Sequence, residues 1–516
     1  MASPAEKLAE ALEKLQTVQV DGIVQSERLS RTYLTRLVRA GFLHGIIRGW
    51  HFVAIPEESS GSTVWYSRYW SFLRQYLAQR FGEDYCLLPE ASLNLLTGST
   101  VVPRQLAIMR RSPGQQALSL YLDTSLFIYQ EKSKFPERIV EIEGVRAMDL
   151  SEALVRLPES FYRTNSEGAL IALRLLRDPT LLLADLLGNG RSVVAGRIAG
   201  AFRHIGDDSA ANRIRNAMLS SGYEFRESDP FQSPVSVFSG TLRPLSPHVA
   251  RLQSLWASMR EDVAAIFPSS PENVLQPDAY LVHVDEIYVQ DAYHSLSIEG
   301  YLVTPELIEK VRSGFQERDD DPAGRQTRAA LAARGYYEAF QSVKTSVSKT
   351  LQGEETITLL QRAHHEWHQS LFAPSVRAGL LKPSSLAGYR QSPVFISGSR
   401  HVPLPHHALP DVMHALFELI AQESIPAVRA VLGHFLFVFI HPYSDGNGRI
   451  GRFLMNFLFA SDGYPWTIIH LENRRRYMEA LEEASVNRNI KPFAHFVLAE
   501  MNAGIPILPE IYDEIL

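Results

Sequence analysis

Residues 428 to 460 hold two almost wholly apolar stretches, VRAVLGHFLFVFI and RIGRFLMNFLFA, separated by the polar run HPYSDGNG. The first has the all-round apolar pattern of a buried helix, and in the second Ile450, Phe453, Leu454, Phe457 and Leu458 recur at helical spacing. Pro442 disfavours helical geometry at His441, so the first helix ends there and the next begins near Gly448. Two buried helices joined by a short polar loop commit this part of the chain to a helical core.

The loop is equipped for phosphate chemistry. Gly446 and Gly448 let the backbone bend and leave free amide N–H groups at a helix N-terminus, a site that attracts anions. Arg449 and Arg452, three residues apart, can clamp several phosphate oxygens, and Asn447 can donate to another. Asp445 would be repelled by bare phosphate; its presence makes sense if it holds Mg²⁺. His441, which titrates near neutrality, is the candidate general base. A surface turn with a capping Asp-Gly accounts for any one of these residues but not for the set.

With those residues in place, the run His441 to Arg452 resembles the Fic signature, His-Pro-Phe-x-Asp/Glu-Gly-Asn-Gly-Arg-x-x-Arg, with Tyr443 replacing phenylalanine. The resemblance covers roughly the C-terminal half, taking in GYRQSPVFISGS (388–399) as a flap and LENRRRYMEALEEASVNRNIKPFAHFVL as the following helices. It implies an adenylyltransferase. His441 would deprotonate a Ser, Thr or Tyr hydroxyl on a protein target, itself included, which then attacks the α-phosphate of ATP. Asp445 would hold Mg²⁺, Gly446, Asn447 and Gly448 would cradle phosphates, and Arg449 and Arg452 would bind the outer ones. The flap around Val394, Phe395 and Ile396 would dock the target as an added strand. Relatives also commonly dimerise, so a homodimer is expected.

SLSIEG, Ser295 to Gly300, fits the inhibitory pattern Ser/Thr-x-x-x-Glu-Gly/Asn of that family. The resemblance implies that Glu299 pairs with Arg452 and keeps the arginine from the γ-phosphate. Other outcomes of the same site are open: removal of AMP from a target, or another donor in place of ATP.

The remainder is read more coarsely. A chain of 516 residues divides into about three domains at ~150 residues each. Its single cysteine, Cys86, excludes an intrachain disulfide and a thiolate zinc cluster, and the N-terminus lacks a secretory apolar region, so a cytoplasmic protein is expected, with no membrane span. Net charge of −6 argues against nucleic-acid binding by the whole surface but permits a local basic element. One lies near the start. Leu8, Leu12 and Leu15 mark a helix, Ser30 caps another that Gly41 stops, and FLHGIIRGWHFV (42–53) reads as a hairpin, the pattern of a winged helix-turn-helix. Arg28, Arg31, Arg36, Arg39 and Arg48 form its basic stripe, with Arg31, Arg36 and Arg39 the candidates for DNA contact. Together with LLPEASLNLLTGSTVVPRQLAIMRRSPG and VEIEGVRAMDLSEALVRLP, this segment resembles the antitoxin of bacterial abortive-infection systems, which represses its own operon. The alternative reading it opens is a DNA-binding repressor in which the Fic half is a nucleotide sensor, and both readings can hold in one toxin-antitoxin-like polypeptide.

The expected fold is therefore multidomain and mostly α. A winged helix spans 1–60, an α+β to helical middle region 61–240, and an all-helical Fic core with a β-hairpin flap 241–516, its inhibitory helix near 291–300. DPFQSPVSVFSGTLRPLSP (229–247) reads as a linker and QERDDDPAGRQTR (316–328) as an exposed loop. GNGRSVVAGR (188–197) lacks the Gly-Lys-Ser/Thr ending of a phosphate loop and reads as a turn. His364, His365, Glu366 and His368 lack His-Glu-x-x-His order and read as packing or surface residues. His401, His406 and His407 show no ligand spacing.

Overall fold

The computed structural model describes residues 3–54, 56, 61–132, 134–176, 178–231, 246–271, 276–314 and 325–504. Most of the expected linker, and the part of the 316–328 loop before residue 325, lie outside them. The chain forms two units: Met1–Ser254 with Phe395–Val402, and Leu255–Val394 with Pro403–Leu516.

In the first unit, α1 (Pro4–Val18) starts on a reciprocal cap in which Ser3 and Glu6 each accept the other's backbone N–H. β1 (Ile23–Gln25), α2 (Arg31–Arg39), β2 (Leu43–Ile47) and β3 (Trp50–Val53) follow. Ser30 caps α2 through the Tyr33 N–H, and the strands form an antiparallel sheet of order β1-β3-β2. Ala11, Leu15, Val24, Leu37 and Leu43 fill the space between helices and sheet.

Beyond them come α3 (Gly61–Phe81), β4 (Cys86–Leu87), α4 (Pro89–Leu96), β5 (Gln105–Arg110), β6 (Gln116–Ser119), β7 (Ser125–Gln130), β8 (Ile139–Ile142) and β9 (Val145–Met148). β4 to β7 make one sheet of order β4-β5-β7-β6, and β8 pairs with β9. Residue 60 is not a break in packing: Trp50 and Phe52 of β3 share a core with Trp65, Phe72, Leu106, Ile108 and Leu126. The face of the first sheet turned away from α1 and α2 is buried by α3 and the second sheet. A helical layer completes the unit: α5 (Leu150–Arg156), α6 (Glu159–Thr164), α7 (Ser166–Leu175), α8 (Thr180–Gly188), α9 (Ser192–His204) and α10 (Asp208–Ser220). The glycine-rich 188–191 stretch is the α8–α9 turn.

α11 (Pro247–Ile266) contains the division at Ser254, which falls later than the expected boundary at 240. The second unit continues with α12 (Pro277–Ile298), α13 (Pro305–Arg312), α14 (Arg325–Leu351), α15 (Thr356–Arg377), α16 (Leu409–Gln422), α17 (Pro426–Ile440), α18 (Asn447–Ser461), α19 (Arg474–Asn487) and α20 (Lys491–Ala503). α17 and α18 are the two apolar helices, and nearly every residue of both is buried. The expected β-hairpin flap does not form. Residues 393–396 form no ladder, and the chain turns at Gly398 (φ +78°). Pro393 has no N–H to give a ladder, and among the described residues no strand pairs with the short segment. Among the described residues no helix is long and apolar enough to cross a membrane.

Candidate active site

The loop between α17 and α18 is built on a forced helix stop. His441 is the C-cap of α17 in the left-handed region (φ 55°, ψ 60°), its N–H still donating to the Phe437 carbonyl at 3.0 Å. Pro442 behind it excludes another helical turn. The His441 ring places Nδ1 3.1 Å from the Val438 carbonyl. A carbonyl only accepts, so Nδ1 carries the proton and Nε2 keeps a lone pair. Burial among protein atoms lowers the pKa of this histidine to about 4, so at neutral pH it is the free base rather than the near-neutral titrant expected from its type.

Arg390 holds this geometry, and sequence reasoning missed it. It is 3% exposed, its backbone N–H donates to the Pro442 carbonyl (2.9 Å), and its guanidinium donates to three more: His441 (2.8 Å), Ser392 (3.1 Å) and Leu404 (2.6 Å). Desolvation lowers its pKa to about 10, still high enough to keep the charge.

Tyr443 stacks on His368 with ring centroids 3.9 Å apart, and its hydroxyl lies 2.8 Å from His365 Nδ1. The histidine cluster of α15 is thus packing for the loop, and the phenol has a polar partner that a phenylalanine would not need. Asn447 is engaged within the loop. Its Oδ1 accepts from the Tyr443 N–H (2.9 Å) and its Nδ2 donates to the Tyr443 carbonyl (2.8 Å). The amide is buried and satisfies two backbone groups that the loop leaves unpaired.

Gly446 begins α18 with φ +85°, and a Cβ there would lie 2.8 Å from the Phe372 ring, so both conformation and space call for glycine. The first backbone N–H groups of α18 have no helical acceptor, which makes an anion-binding turn. Beside it, Arg449 is 1% exposed, its guanidinium lying over the rings of Tyr301 (5.1 Å) and Phe372 (5.2 Å) and reaching Asp445 Oδ1 at 3.2 Å. Asp445 also accepts from the Gly446 N–H at 2.6 Å, yet its side chain is 64% exposed. No cluster of three or more His, Cys, Asp or Glu able to hold a metal exists among the described residues. One open carboxylate beside an anion-binding turn fits a Mg²⁺ held jointly with phosphates and water.

Arg452 is turned away from solvent into α12. Nε donates to Ser295 Oγ (3.0 Å), and Nη2 donates to the Ser295 carbonyl (3.1 Å) and to Glu299 Oε1 (2.8 Å). Burial alone would lower the arginine's pKa; the Glu299 charge more than offsets it, and the pKa is raised. Glu299 is the C-cap of α12, within the expected 291–300 stretch. Around it α12 is anchored by Asp291, which accepts from Tyr336 Oη (2.6 Å) and Trp466 Nε1 (3.2 Å), and by Arg474, whose Nε donates to the Ile298 carbonyl (2.7 Å). Among the described residues Arg452 Nη1 and Arg449 Nε have no hydrogen-bond partner although both are buried. Unpaired donors beside an anion-binding turn are cationic capacity left for a ligand.

Residues 357–459 match the Fic/DOC family. The chain carries a Fic domain. Its relatives include proteins named protein adenylyltransferase Fic: that of Nematostella vectensis is 31% identical over 42% of this chain and 47% of its own length, and that of Drosophila melanogaster 28% identical over 65% of each. The chain spans about half the length of the first of these. Among solved structures, Fic-1 from C. elegans aligns over 63% of this chain and 96% of its own, at 18% identity and a TM-score of 0.37.

The flap is divided between the units, Val394 grouping with the second and Phe395 and Ile396 with the first, where Arg68 lies 5.8 Å over the Phe395 ring. On α2, Arg31 and Arg39 are exposed, and Arg36 reaches back to the Lys7 carbonyl of α1 at 2.8 Å.

Proposed function

We propose that this chain is a protein adenylyltransferase that its own α12 holds in check. The observation that carries the reading is the neutral His441, with a lone pair on Nε2, in the loop that opens the anion-binding turn of α18. Nε2 takes the proton of a Ser, Thr or Tyr hydroxyl of a target protein or of a second copy of this chain. The freed oxygen attacks the α-phosphorus of ATP, the bond from that phosphorus to the bridging oxygen breaks, and pyrophosphate leaves. Backbone amides of the first turn of α18 and the Arg449 guanidinium meet the phosphate oxygens. Asp445 would hold Mg²⁺, which, when bound, neutralises charge shared between phosphates. Arg452 would bind the terminal phosphate once it leaves Ser295 and Glu299. Glu299 restrains the site both by occupying that arginine and by setting a negative charge at the same turn.

The test is label transfer from α-labelled ATP to proteins of a lysate. Glu299→Gly should exceed the unaltered chain, and His441→Ala should give none while keeping its melting temperature. A Glu299→Gly protein that transfers no label would end the transfer reading; one that instead loses the ability to release AMP from a labelled protein would favour the reverse reaction.

The first unit supports a second reading. Arg31 and Arg39 stand exposed on α2 beside the β2–β3 hairpin, a basic face of the kind that meets a DNA backbone. A shift of upstream operon DNA that weakens with salt and with Arg31→Ala plus Arg39→Ala supports a repressor; binding indifferent to both substitutions counts against it.

A further inference from the structure

The turn between β2 and β3 and the C-terminal end of α3 border a cavity of about 540 Å³. That volume falls within the roughly 300–1,000 Å³ of small-molecule sites. Its apolar wall is Ile47, Trp50 and Leu118, and its polar lining is Arg48, Tyr76, Gln79 and Arg80. Trp50 meets Phe72 and Tyr76 edge-on, at centroid distances of 5.7 and 5.9 Å, so the wall is a packed aromatic cluster rather than a mobile side chain.

The polar lining is one-sided. Arg48 and Arg80 are exposed and have no ion-pair partner among the described residues, and no carboxylate lines the cavity. Gln79 Oε1 already accepts from Gln25 Nε2 at 3.0 Å, which leaves its NH₂ as the free end. Tyr76 adds a hydroxyl, with Arg80 close enough for its charge to oppose the rise that burial gives the phenol's pKa. The groups left for a ligand are therefore donors, two of them cationic, above an apolar floor. A cation would meet no counter-charge, and a neutral molecule would make no use of the two guanidinium charges.

We infer that this cavity binds a small organic anion, an aromatic ring bearing a carboxylate or a phosphate. The ring lies against Trp50 and Leu118 and the anionic group bridges Arg48 and Arg80. Because Arg48 sits in the hairpin turn and Arg80 on α3, the ligand would fix the hairpin against the helix. The inference is independent of adenylyl transfer, since every residue it uses lies in the first unit.

The test titrates the full chain with phenyl phosphate and with benzoate, each beside its uncharged counterpart, phenol or benzamide, following tryptophan fluorescence and melting temperature. At least one charged probe should bind saturably and its neutral counterpart should not; which one binds distinguishes phosphate from carboxylate. Arg48→Ala and Arg80→Ala should each weaken binding about tenfold or more, the loss of one charge-assisted contact. Arg80→Lys should retain part of it. Leu118→Glu, which puts a negative charge on the wall and leaves both arginines in place, should abolish binding, and Arg452→Ala should leave it unchanged. The inference is overturned by equal binding of the neutral probes, by binding that survives both arginine substitutions, by the absence of saturable binding of either anion, or by an Arg48 and Arg80 dependence seen only with double-stranded DNA.

Discussion

The carboxylate of Glu299 occupies the space that a side chain at Gly448 would need. The first turn of α18, ready for an anion, is therefore faced by one from the chain itself. Removing it with Glu299→Gly should raise label transfer by about tenfold or more, the equivalent of at least one charge-assisted contact returned to the nucleotide. Adding Gly448→Ala to that variant should lower the rate again, because the methyl group fills the space where phosphate oxygens approach. Initial rates of the two proteins decide the matter; equal rates would mean that carboxylate and phosphate do not share that space.

Ser295→Ala removes the acceptor of Arg452 Nε but leaves the Glu299 bond. A hydrogen bond to a charged group contributes about 1.5–3 kcal/mol, so α12 should loosen and transfer should rise severalfold, less than with Glu299→Gly. A rate equal to that of the unaltered chain would assign the restraint to Glu299 alone.

His441 yields a pH profile with a definite sign. Desolvation disfavours the imidazolium and brings the pKa from the ordinary 6.5 to about 4. The base form then persists well below neutrality, and the log of the rate in a Glu299→Gly background should stay flat from neutral pH to about pH 5 before falling. The unfolded chain, whose histidine keeps the ordinary value, binds more protons between 6.5 and 4 than the folded chain does. The stability linked to this group is thus complete above 6.5 and is lost as pH falls through that interval. An acidic limb centred near the ordinary histidine value would contradict the burial of the ring.

Arg390→Ala should lower transfer and destabilise the fold by about 3 kcal/mol, since the His441, Ser392 and Leu404 carbonyls lose a charged donor. Lysine should not restore it, because one ammonium cannot span acceptors that a guanidinium reaches with three nitrogens. The discriminating measurement is the acidic limb of the rate. If Arg390 positions the loop around His441, Arg390→Lys should move that limb toward the ordinary histidine value as water gains access.

What could be read in the sequence was what is local. HPYSDGNGRIGR shows its helix stop, glycine turn and arginines because each lies within a few residues of the structure it forms. Arg390 escaped because its partner His441 lies 51 residues away and is bound through a carbonyl, which leaves no trace in residue type. The part Asn447 plays within the loop is hidden for a related reason: a side-chain amide suits a phosphate or a peptide group equally, and residue type does not reveal its bonds to the Tyr443 backbone. The pairing of Glu299 with Arg452, 153 residues apart, was accessible through family resemblance and not through pattern. The flap was expected from family resemblance, and its short apolar run Val394 to Ile396 does not itself say whether a partner strand is present.

The shared core of β3, α3 and the second sheet limits how this chain can have been assembled. A recombination event at residue 60 would part Trp50 and Phe52 from Trp65 and Phe72, leaving an apolar scar on both products. Because Val145 and Ala147 belong to the same core, a gene fusion that transferred the N-terminal segment as a working part would have had to carry it through the end of β9.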